Sequence, residues 1–165
     1  MRFAMKRFNR AFPATLARIQ SGTRVNLRDG TIKTRGAYDL KTVDSGQVLP
    51  LPAGQKMWKV PNGCSLRSPY STTFQDVAES FEAESVNIFI IEKHTPIPNG
   101  LVLICERGDH FSLQCARPMA LWQLNDMITG FLETSSARMT KEEYQIKFPA
   151  GEDNDSLDID ALEEN

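Results

Sequence analysis

Hydrophobic positions become regular only after residue 61, and each change of rhythm from there on marks an element. "STTFQDVAESFEAES" (71–85) sets Phe74, Val77, Ala78 and Phe81 at helical spacing, and Thr72 followed by Gln75 predicts a capping box at its start. "VNIFIIE" (86–92) is almost wholly apolar and β-branched, the pattern of a strand covered on both faces. "KHTPIPNG" interrupts it with two prolines that no central strand accepts. "LVLICE" (101–106) and "HFSLQCA" (110–116) flank Arg107-Gly108-Asp109, which predicts a β-hairpin with Gly108 in the turn. "ALWQLNDMITGFLETS" (120–135) predicts an amphipathic helix that buries Leu121, Leu124, Ile128, Phe131 and Leu132. Thr140 and Glu143 cap a short last helix, "KEEYQIKF", which Pro149 stops.

Upstream the signals are thinner. "TLARI" (15–19) predicts a short strand, and Val25 and Leu27 alternate with polar neighbours like a second, exposed one. Residues 31–61 lose periodicity to Gly, Pro, Ser and Lys and predict a long surface loop, with a short strand near Val48–Leu51. The fold class is α+β: a mostly antiparallel sheet with a few packed helices.

Composition suits one domain, since 165 residues at 41% hydrophobic can bury a working core. The net charge of -2 hides a strong polarity. No acid precedes Asp29, whereas "GEDNDSLDIDALEEN" holds acids and no base. The expected organisation is a basic arm (1–12), a folded domain (13–149) and an acidic, disordered tail (150–165). The tail would order only on a basic partner, or fold back on the arm and screen it as an autoinhibitory strap. If helical, the arm would set Arg2, Lys6 and Arg10 opposite Ala4, Phe8 and Phe12, like a mitochondrial presequence, although an arm that frays or packs on the domain is the favoured reading. No apolar run approaches membrane-span length, and cysteines without CxxC spacing signal neither disulfides nor a metal site. A reduced, cytoplasmic setting follows. The basic arm and "RVNLR" have the charge to contact nucleic acid, but no recognition motif frames them, so nucleic acid is not an expected partner.

Phosphate-loop, zinc-protease and serine-hydrolase motifs are absent. "RGD" is turn chemistry, and Cys105 and Cys115 alternate onto apolar faces. Cys64, in a Gly-flanked turn, is the thiol with a route to reactivity. On the hairpin's second strand, alternation sends Phe111, Leu113 and Cys115 one way and His110, Ser112 and Gln114 the other, where a solvent-facing strand would ordinarily carry Lys, Glu or Thr. "NGCSLR" (62–67) adds Gly63, which permits close backbone approach, and Ser65 with Arg67, which suit an anionic or amide group. Together they suggest the wall of a cleft for a small polar ligand.

"PNGCSLR", "NIFIIEKHTPIPNGLVLICERGDHFSLQCARPM", "LNDMITGFL" and "MTKEEYQIKFP" resemble a family of type VI secretion toxins and their eukaryotic relatives, whose fold is similar to NAD-dependent ADP-ribosyltransferases. The resemblance spans about residues 15–149, with Ala17 replacing the family's aromatic before Arg18. It implies that NAD or a similar dinucleotide binds, with Arg18 on the phosphates and Ser65, next to Cys64, on the nicotinamide ribose. Phe111 would stack on nicotinamide, which requires it to face the cleft, and Ser112 would lie beside it. His110, Gln114 and Glu106 are the implied catalytic positions, Glu106 being the carboxylate nearest to the place of the family's glutamate. A macromolecular acceptor and an immunity or antitoxin protein are the implied partners. A non-catalytic binding module that keeps the fold is the alternative.

Overall fold

Residues 5–32, 37–50, 62–82, 85–151 and 157–165 are described in the computed structural model. In chain order they form β1 (Lys6–Phe8), β2 (Leu16–Ser21), β3 (Gln47–Val48), β4 (Cys64–Arg67), α1 (Thr72–Ser80) and β5 (Val86–Ile91). There follow β6 (Leu101–Arg107), β7 (His110–Cys115), β8 (Met119–Ala120), α2 (Leu121–Ser135), β9 (Ala137–Met139) and α3 (Lys141–Lys147). Seven strands make one antiparallel sheet in the order β1-β6-β7-β4-β2-β5-β9, and β3 pairs with β8 apart from it. The α+β expectation holds.

Alternation assigns the two faces. Leu16, Cys64, Leu66, Phe89, Ile91, Leu103, Phe111 and Leu113 pack in one core with Leu124, Ile128, Phe131 and Leu132 of α2. On the opposite face Ala17, Ile88, Ile90 and Met139 lie under Phe74 and Ala78 of α1 and Tyr144 of α3. β5 is covered on both sides, as its apolar run predicts. Tyr144 donates from its hydroxyl to the Pro69 carbonyl at 2.6 Å, which meets the polar need of an otherwise buried ring. Gly108 takes φ +50 in the hairpin turn, the left-handed conformation for which glycine is suited.

Several expectations change. Of the two forms of the favoured reading, the arm packs on the domain over residues 5–12 and does not fray: β1 pairs with β6, and Phe8 and Phe12 join the main core. Strand pairing uses Lys6–Phe8 in place of the presequence-like helix; residues 1–4 lie outside the described residues, as do 33–36 and 51–61 of the predicted loop. Val25 and Leu27 are buried but belong to no strand. Helix α1 is capped by Ser71, whose side chain accepts from the Phe74 N–H, and not by Thr72. Val77, expected on the buried face, is exposed. Over 157–165 the tail is ordered against the arm, with Leu157, Ile159 and Leu162 packed on the main core; residues 152–156 are outside the described set.

Candidate active site

The sheet opens between β2 and β4. Their recorded pairing is Ala17 with Arg67, whereas β2 pairs with β5 along six positions and β4 with β7 along four. A cleft of about 640 Å³ fills this split, lined by β2 from Ala17 to Ser21, by Ser65–Arg67 of β4, by Phe74, Val77 and Phe81, and by Arg24, Asn26, Arg28 and Asp39. The volume lies within the range of roughly 300–1,000 Å³ common to small-molecule sites.

One wall is the segment from Arg24 to Arg28, which among the described residues belongs to no strand. The Val25 N–H donates to Thr129 Oγ1 at 2.9 Å and the Leu27 N–H to Asn125 Oδ1 at 3.0 Å. Asn125 and Thr129 are one helical turn apart on α2, so they match every second amide of an extended chain. Val25 and Leu27 are thereby buried while Arg24, Asn26 and Arg28 face the cleft. Three of the four arginines lining the cleft are ion-paired. Arg24 pairs with Asp126, Arg28 with Asp39 at 3.1 Å, and Arg67 with Asp109 at 2.6 Å. Arg18 differs: among the described residues its side chain donates to neutral groups, Gln20 Oε1 at 3.2 Å and the Ser65 carbonyl at 3.4 Å. Among the described residues, its positive charge is the one lining the cleft with no carboxylate paired to it.

Ser65 joins the cleft to a polar chain running through the sheet. Its Oγ lies 2.7 Å from His110 Nε2, and His110 Nδ1 lies 2.9 Å from Glu106 Oε2. Gln114 Nε2 donates to Glu106 Oε1 at 3.3 Å and to Ser112 Oγ at 3.2 Å, while Asn62 Nδ2 donates to Gln114 Oε1 at 3.4 Å. A β-bulge places the carboxylate. Cys105 pairs with Phe111 and Arg107 with His110, leaving Glu106 as the extra residue on β6. Buried polar groups are tolerated when hydrogen-bonded, and each member of this chain has a partner.

The predicted site residues therefore divide. Arg18 and Ser65 share the cleft, and His110 and Glu106 reach it through Ser65. Ser112 and Gln114 do not line it: β7 lies between β6 and β4, and both side chains are essentially buried, with 1% and 0% exposure. The polar face is thus an interior network and not a solvent-facing wall. Phe111 lies on the other face, packed near Phe8 in the main core, as simple alternation requires, so it is not placed to stack on a ligand in this cleft. Cys64 is fully buried, and desolvation pushes its thiol up from the ordinary range, which removes the expected reactivity. Gly63 makes the predicted close approach to β7. Arg24, Arg28 and Asp39 were missed as cleft residues. Their signal is the alternation around Val25 and Leu27, which marks an extended segment but not what it faces.

An α+β fold on a split antiparallel sheet, with an arginine-lined cleft in the split, agrees with the ADP-ribosyltransferase type that the family match shows. The chain belongs to the Tse2 ADP-ribosyltransferase toxin family, which it matches over residues 14–144. No match was found among curated proteins or among solved structures.

Proposed function

We propose that the protein binds NAD in the split between β2 and β4 and transfers ADP-ribose from it to a macromolecular acceptor, as a toxin acting in the cytoplasm. The observation that carries this reading is Arg18, a guanidinium in the cleft whose contacts among the described residues are neutral. A guanidinium can grip a pyrophosphate bidentately, and here it need not first leave a carboxylate. Ser65, across the split, supplies a hydroxyl within reach of a ribose. The other three cleft arginines are each balanced by an aspartate, which leaves Arg18 as the unbalanced charge of the cleft among the described residues. An immunity protein that covers this cleft is the implied partner. Calorimetric titration with NAD tests the reading. Binding is expected for the wild type and is expected to weaken at least tenfold in Arg18→Ala. No binding at millimolar NAD, or equal binding in Arg18→Ala and Ser65→Ala, overturns it.

A second reading is favoured by one observation. Among the described residues the lining includes no glutamate, and its one carboxylate, Asp39, is held by Arg28. On this reading the cleft binds a dinucleotide and transfers nothing. Expression of the wild type and of His110→Ala in sensitive cells separates the two. Growth arrest relieved by the substitution supports the toxin, and equal harmlessness supports the binding module.

A further inference from the structure

We propose that Ser65, His110 and Glu106 form a proton relay that takes the proton of the acceptor, so that the acceptor is a group that sheds a proton on transfer, of which an alcohol or water is the case proposed, and not a carboxylate or phosphate. The proposal rests on the dinucleotide reading above and adds the acceptor and the route of its proton.

The geometry has a direction. Glu106 receives Gln114 Nε2 on one oxygen and faces His110 Nδ1 with the other. A carboxylate only accepts, so the hydrogen lies on Nδ1. In the neutral imidazole Nε2 is then a lone pair, and the Ser65 hydroxyl at 2.7 Å donates to it. This leaves the Ser65 oxygen free to accept a second hydroxyl from the cleft, which Ser65 lines and His110 and Glu106 do not. The order is relaying hydroxyl, base and orienting carboxylate, recognised by geometry and not by position in the chain.

Burial supports a chemical role. The His110 and Glu106 side chains are 17% and 8% exposed. A desolvated acid–imidazole pair is a poor source of stability, because removal from water offsets most of its attraction. The same pair stabilises an imidazolium that forms during reaction.

In the step, the bond between ribose C1′ and the nicotinamide nitrogen breaks, and that electron pair leaves with neutral nicotinamide. The acceptor oxygen bonds to C1′. Its proton passes to Ser65 Oγ as the serine proton moves to His110 Nε2, and His110 later releases it to solvent. Carboxylate and phosphate acceptors have no proton to give and would gain nothing from the relay. Ser65 is the group that touches substrate; His110 and Glu106 are positioning residues acting through it.

Two measurements on the full chain test this. Nitrogen NMR of the imidazoles at about pH 8, above the ordinary imidazole range, is expected to find His110 protonated on Nδ1, with the Nε2 resonance shifting in Ser65→Ala. The opposite tautomer overturns the relay whatever NAD does. Nicotinamide release is then followed in water and in water containing methanol as the alcohol probe. The wild type is expected to give ADP-ribose and its methyl glycoside. His110→Gln keeps an acceptor beside Ser65 but no base. It is expected to lower kcat by roughly 100-fold or more with KM little changed, and His110→Ala is expected to recover on addition of free imidazole. Unchanged kcat in His110→Gln, or no recovery with imidazole, overturns the relay. Absent NAD binding with the expected tautomer overturns the dinucleotide reading instead and leaves the hydrogen-bond direction standing.

Discussion

Gly63 shows how closely the two halves of the site are pressed together. A Cβ there would lie 2.5 Å from the Leu113 carbonyl oxygen, 2.7 Å from Ser112 Oγ and 2.9 Å from Gln114 Cγ. The need is for space, and the nearest obstacle is backbone held in the β4–β7 ladder. Gly63→Ala is therefore expected to cost about 1–3 kcal/mol, read as a lower urea midpoint. The same push falls on Gln114, which donates to Glu106, and on Ser112, which accepts from Gln114, so the His110 nitrogen spectrum is expected to change with it. An unchanged midpoint and spectrum would show that β7 can yield. Gly63 was legible from the sequence as a place of close approach, but not what approaches it. Cys64 and Phe111 show the opposite case. Their neighbourhood pointed to a site, yet alternation along β4 and β7 turns both side chains into the main core.

At the scale of elements, periodicity located α2 and α3 because each buries a stripe against the sheet, and the hairpin and β5 because their apolar faces are covered within it. It failed where a partner is supplied from far along the chain. Val25 and Leu27 alternate as a strand would, but their amides are taken by Asn125 and Thr129, about a hundred residues later by sequence number. The cap of α1 shifted by one residue for a local reason: Ser71 and Thr72 can both accept from a first-turn amide, and composition alone does not choose. The helix-held segment yields a prediction. Asn125→Ala leaves the buried Leu27 N–H without its acceptor, at a cost of about 1–3 kcal/mol. It also releases the wall that carries Arg24 and Arg28, so NAD affinity is expected to fall along with stability. A stability loss with unchanged affinity in calorimetry would show that the segment scaffolds the fold but not the cleft.

Across the whole molecule, the charge asymmetry between the two ends resolves into a specific contact. Lys6 Nζ donates to the backbone carbonyls of Ile159, Asp160 and Leu162 at 2.7, 3.0 and 2.8 Å. β1 is the outermost strand of its side of the sheet, and residues 157–165 cover its open edge. The Arg7 N–H donates to Glu164 Oε1 at 2.8 Å, the Asn9 N–H to the Asn165 carbonyl at 3.0 Å, and the Arg10 and Ala11 N–H groups to Asn165 Oδ1 at 2.8 and 3.2 Å. Acidity made the segment look unable to bury anything, but Leu157, Ile159 and Leu162 recur often enough to dock. Deleting 157–165 is expected to cost on the order of 2–4 kcal/mol, since each partly buried apolar side chain contributes about 1 kcal/mol. Amide exchange at Arg7, Asn9, Arg10 and Ala11 is expected to accelerate, and the bared edge to favour self-association. A segment that only screened charge would leave those amides protected. Leu157, Asp158 and Leu162 line a separate small pocket beside Pro13, Thr15 and Tyr70, and among the described residues no part of 157–165 lines the Arg18 cleft. The deletion is thus expected to leave NAD affinity unchanged, provided binding is measured well below the lowered unfolding midpoint. Tighter binding after deletion would restore the autoinhibitory strap that the charge pattern suggests.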